Sequence, residues 1–151
     1  MCNRNNFLLK WSSSIICIFY THSAHAAPST NDLSQDCYRQ FRMASDVRAC
    51  AEKNLEVSER LLAEKEKKEP RLLNKWLEDE YFKADARKYT PISNREFEKY
   101  KIKYCNFSMS VMGDADLTAH EIRRLSCVAS LNLHYIEQLK ADLSYIQWKL
   151  D

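Results

Sequence analysis

The chain has 151 residues with a single glycine and three prolines, which is one domain's length and too little turn-forming material for an all-β fold, so the expected class is all-α. Its 23 basic and 21 acidic residues give a formal net charge of +2. That balance excludes a global basic face of the kind that gathers nucleic acid.

The N-terminus reads as a signal peptide over residues 1–26, with a single domain over 27–151. Arg4 and Lys10 form a positive start, Trp11 to Tyr20 a short apolar core, and Ala24, His25 and Ala26 a small-x-small cleavage site before Ala27. The apolar run is far below the roughly 20 residues that cross a bilayer, so the mature protein should carry no transmembrane anchor. Two of the 23 basic residues and none of the 21 acidic ones fall in the segment, which leaves the mature chain formally neutral. Cys2 and Cys17 leave with it, and Ser14, Ile15 and Ile16 ahead of Cys17 lack the small residue of a lipoprotein cleavage site. Four cysteines remain in a protein expected to be periplasmic or secreted, where an oxidising milieu favours bridges over thiols.

The mature elements follow in order. Asp32 or Ser34 caps a short helix carrying Leu33, Cys37, Tyr38 and Phe41, and the chain turns near Met43 to Ser45, with Ser45 capping the next helix. That helix runs from Asp46 to Glu69 with Val47, Cys50, Val57, Leu61 and Leu62 inward and a charged, solvated end at Glu64 to Glu69. Pro70 restarts the chain, and a helix from Arg71 to about Lys88 buries Leu72, Leu73, Trp76, Leu77, Tyr81 and Ala84. Thr90 and Pro91 break it, and Ser93 to Glu96 forms a capping box for a helix with Phe97, Tyr100, Tyr104, Phe107 and Val111 at helical spacing.

Gly113 ends that helix at a left-handed C-cap, and Thr118 to Glu121 has the form of a capping box for the last one. The last helix repeats in sevens through Ile122, Ala129, Ile136, Leu143 and Leu150, doubled by Leu125, Asn132, Leu139 and Ile146. Such a seam takes other helices along its length, with Asn132 its one polar interruption. Cys105 and Cys127 lie equally far from the Gly113 turn, roughly 12 to 13 Å at about 1.5 Å per residue. Hairpin geometry therefore pairs Cys105 with Cys127 and Cys37 with Cys50, and the expected architecture is a small bundle of antiparallel helical hairpins stapled by two disulfides.

Catalytic signals are missing. His120 and His134 have no carboxylate at a hydrolytic spacing, Glu78, Asp79 and Glu80 fan around a helix, and there is no nucleophile elbow, phosphate loop or paired C-x-x-C motif. The expectation is a non-enzyme with no cofactor, no metal and no nucleic-acid partner. The arrangement of Cys37 to Cys50 and Ala51, a charged helical middle, Phe97, Tyr100 and Cys105, a short loop, and Cys127 before a final helix resembles the LprI-like lysozyme-inhibitor family of exported bacterial proteins. The likeness covers about Cys37 to Leu139; this chain has Phe97, Lys101 and Ile102 where that family tends to have a tryptophan and an Arg-Asp pair, and Asn132 and Tyr135 where it has threonine and arginine. What the resemblance implies is an all-helical periplasmic domain that binds and blocks a peptidoglycan-cleaving enzyme.

The partner-binding surface expected from the residues is the acidic turn, with Gly113, Asp114 and Asp116 in the loop and His120 beside it. A braced loop presents its carboxylates to a basic partner at low ordering cost, while the same residues serve as helix caps. An immunity protein against a secreted toxin and a small envelope chaperone are the other binding classes the sequence leaves open.

Overall fold

The computed structural model describes residues 26–148. Residues 1–25 of the expected signal peptide and Leu150 of the heptad series lie outside the described residues. Four helices follow one another: α1 (Thr30–Gln40), α2 (Ala44–Lys75), α3 (Glu80–Ser110) and α4 (Leu117–Trp148), with no strand among the described residues.

The three long helices run up, down and up, and α4 touches all the others. Its seam is the spine of the core: Ile122, Leu125, Ala129, Asn132, Ile136, Leu139, Leu143 and Ile146 are all buried. At one end Ile122 and Leu125 pack with Val47, Ala51 and Cys37; at mid-length Ile136 and Leu139 meet Leu62; at the far end Leu143 and Ile146 meet Leu73. α2 therefore runs parallel to α4 along its whole length. α3 runs back against α4, with Phe97 stacked on Tyr135 at 4.1 Å and Cys105 bonded to Cys127.

Both expected bridges are present. Cys37 and Cys50 have Cα atoms 5.7 Å apart and staple α1 to α2, and Cys105 and Cys127, 5.5 Å apart, staple α3 to α4. In the chain-entropy picture each such loop closure contributes about 3 kcal/mol.

Several boundaries differ from the sequence reading. α1 is capped by Ser29 rather than Asp32 or Ser34: the backbone N–H of Asp32 donates to Ser29 Oγ at 3.2 Å, and Ser29 N–H donates to Asp32 Oδ2 at 2.9 Å. α2 starts one residue before Ser45, with Met43 at the cap position. Pro70 and Pro91 do not break the chain; each lies inside a continuous helix, and Ser93 to Glu96 is mid-helix in α3. A proline inside a helix costs roughly 3 kcal/mol locally, but ending α2 at Pro70 would leave Leu73 uncovered opposite Leu143 and Ile146. Burying such apolar groups, at about 1.5 to 3 kcal/mol each, offsets the loss.

The break falls instead at Trp76 to Asp79, within the expected Arg71–Lys88 helix. Asp79 occupies the N-cap position and Glu80 the first turn of α3, where negative charge meets the positive helix end. Glu78, Asp79 and Glu80 therefore form a turn rather than fanning around a helix. As a result Trp76 packs on the Leu73 cluster, while Leu77 and Tyr81 are exposed.

Candidate functional site

The α3–α4 turn is built as a projecting tip. Gly113 takes φ +66°, the left-handed region glycine enters without strain, and its N–H donates to Ser110 O at 3.3 Å. Nothing lies within 4 Å of where a Cβ would sit, so the glycine answers a backbone need and not a crowded neighbour. The cap of α4 is Asp116 rather than Thr118: its Oδ1 accepts from Ala119 N–H at 2.9 Å, and its carbonyl accepts from His120 N–H at 3.1 Å.

Of the expected surface, Gly113, Asp114 and Asp116 are brought together at the exposed end, and neither carboxylate has an ion-pair partner among the described residues. His120 is drawn back from it. Its ring is half-buried, with Nε2 enclosed and without a hydrogen-bond partner, so it belongs to the base of the tip and not to its outer face.

Sequence reasoning missed the apolar part of this end. Leu117, the first residue of α4, is 88 % exposed, and Val111, which closes α3, is 62 % exposed. Val111 continues a strip with Phe107, Tyr104 and Tyr100, which share the apolar helical spacing read from the sequence and are all exposed. The rings contact one another, with Tyr100 and Tyr104 stacked at 5.5 Å and Tyr104 and Phe107 tilted at 6.5 Å.

The reason lies in the bridge. With the Cα atoms of Cys105 and Cys127 only 5.5 Å apart, the facing side of α3 has no room for aromatic rings, and its buried residues are Lys101, Cys105 and Ser108. Ser108 Oγ accepts from Arg123 Nε at 3.0 Å, and Lys101 Nζ donates to Asn132 Oδ1 at 2.8 Å. The large apolar residues therefore lie to one side of the contact. The result is a continuous aromatic and aliphatic strip, about three helical turns long, that ends in two carboxylates. Such a surface can bind a macromolecule; it holds no nucleophile–base pair, and no group of three potential metal-ligating side chains occurs among the described residues.

No protein-family model matches the chain, and no curated protein or solved structure matches it.

Proposed function

We propose that the mature protein is a periplasmic or secreted binding protein that inhibits a lysozyme or a related peptidoglycan hydrolase, docking through the α3–α4 tip and the strip beside it. The observation that carries this reading is the continuity of exposed Tyr100, Tyr104, Phe107 and Val111 with the unpaired carboxylates of Asp114 and Asp116. Aromatic residues at a patch centre with charge at its rim are the composition of protein interfaces. The carboxylates select a basic partner and speed encounter, and the bridge holds the tip in its binding shape before contact. Paired cysteines and the lack of any described helix long and apolar enough to cross a membrane agree with an exported protein, and the cysteine pattern that resembles the LprI-like family supplies the partner class.

Calorimetric titration of a basic lysozyme into the disulfide-intact mature chain tests the surface. Phe107→Ala should weaken binding by more than about 1 kcal/mol, as for a central aromatic anchor. Raising salt from about 0.05 to 0.5 M should weaken it further by screening the carboxylates. A complex that forms normally with Phe107→Ala, and without dependence on salt, would place the interface elsewhere.

A further inference from the structure

Far from the tip, α2, α3 and α4 leave a cleft of about 600 Å³. Tyr135 and Asp142, which line it, lie roughly 30 to 40 Å along α4 from Asp116, at about 1.5 Å per residue. Its floor is Glu69, only 8 % exposed although it ends a run of charged residues on α2. Glu69 Oε1 accepts from Thr90 Oγ1 at 2.9 Å. Its Oε2 is buried and has no hydrogen-bond partner.

Asp142 stands on the opposite wall, and no lysine, arginine or histidine lines the cleft. On α3, Arg87 pairs with Glu80, and the Lys88 ammonium sits 4.9 Å from the centre of the Tyr89 ring. Neither Glu69 nor Asp142 has an ion pair among the described residues. Between them the Tyr135 hydroxyl donates to Asn94 Oδ1 at 2.7 Å. Burial pushes the Glu69 carboxyl above the usual range, against the Thr90 hydrogen bond and with help from Asp142. Burial likewise raises the Tyr135 hydroxyl, with added repulsion from Glu69, Glu66 and Asp142. The space is electronegative, and its donors are neutral hydroxyls and amides.

A buried carboxylate oxygen without a donor carries a desolvation penalty that a proton or an entering donor relieves. We propose that the cleft binds an organic cation, the guanidinium or ammonium end of an arginine- or lysine-like group, seated between Glu69 and Asp142. A divalent metal is a poor fit, because no group of three potential metal-ligating side chains occurs among the described residues. An organic cation uses the rest of the lining as well, its apolar stem against Leu139 and Ala86. A guanidinium fits better than an ammonium, since its planar fork can donate to two carboxylates at once. The site is independent of the hydrolase reading and outlasts its failure.

The test is an NMR titration of the full mature chain with methylguanidine, following Thr90, Asn94, Tyr135 and Gln138, with methylurea as the neutral isostere. Saturable shifts at these residues are expected with methylguanidine and none with methylurea. Asp142→Asn, at an exposed position that the fold does not depend on, and Glu69→Gln should each weaken binding at least tenfold, whereas Glu137→Gln on the same helix should not. A pentapeptide with one central arginine separates the sources: tighter binding than methylguanidine assigns the cleft to an arginine of a protein, and equal or weaker binding assigns it to a free small cation. The proposal is overturned if methylguanidine gives no saturable shifts, if methylurea matches it, or if Asp142→Asn binds it unchanged.

Discussion

Asn132 shows how one residue sets the register of this bundle. It is fully buried on the α4 seam, where its amide donates to Ser58 Oγ at 3.0 Å and its carbonyl accepts from Lys101 Nζ at 2.8 Å. The Lys101 ammonium, on a side chain that is itself buried, also reaches Glu98 at 2.6 Å and lies 5.3 Å from the Phe97 ring centre. One polar position thus ties α2, α3 and α4 together at a single height, because any slip along the seam would part the buried Asn132 amide from both Ser58 and Lys101. Asn132→Ala should destabilise the fold by about 2 to 3 kcal/mol in chemical denaturation, by removing the donor to Ser58 Oγ and the buried acceptor of Lys101. Lys101→Met combined with Asn132→Leu should cost less than the two single changes added, by about 1 to 3 kcal/mol. Strict additivity would mean that the contact is incidental.

Glu69 gives a second test at this scale. Its carboxyl is raised in the folded state, so the stability contributed by the neutral form is present below the unfolded glutamate pKa of about 4.3 and is lost as pH rises through the folded value. The groups around it are Glu66 on its own helix, Thr90 on α3, and Tyr135 and Asp142 on α4; none is a cation. Relative to Glu69→Gln, the wild-type chain should therefore lose denaturant stability as pH rises from about 4 toward neutrality. A constant difference across that range would place the Glu69 carboxyl in the ordinary range.

At the level of elements, what was legible depended on how many neighbours cover a helix. α4 is covered by three helices, and every described position of its heptad seam is buried. Both bridges were legible for a related reason, since cysteines flanking a turn symmetrically have few other partners. α3 misled because a periodic apolar stripe reveals a helix but not which of its sides is covered. The close approach at Cys105 put small and polar residues on the packed side and left Tyr100, Tyr104 and Phe107 outside. Pro70 and Pro91 misled because the local penalty is visible in sequence while the apolar seam that outweighs it belongs to another helix. The turn at Trp76 has neither glycine nor proline, and its one sequence signal is the acidic pair Asp79 and Glu80 at the start of α3. The bridge that displaces the aromatic strip should also brace it: replacing Cys105 and Cys127 together by serine should cost about 3 kcal/mol in denaturation. A loss below about 1 kcal/mol would mean that packing alone holds the hairpin.

For the whole molecule, one end carries exposed apolar and acidic residues and one side a buried carboxylate oxygen without a hydrogen-bond partner. The candidate tip was partly legible: Gly113, Asp114 and Asp116 could be placed from the capping pattern, whereas Leu117 and the strip reaching it could not, because exposure is a property of the assembled bundle. The proposed block of a cell-wall hydrolase by this surface is read from the rate at which a basic lysozyme clears a suspension of bacterial cell walls in the presence of the oxidised mature chain. The account predicts that clearing slows in proportion to added protein, and that Asp114→Ala with Asp116→Ala, while leaving the helical signal nearly unchanged, requires at least tenfold more protein for the same effect, equivalent to about 1.4 kcal/mol. Clearing that proceeds at the same rate at every concentration, with each lysozyme tried, would contradict it.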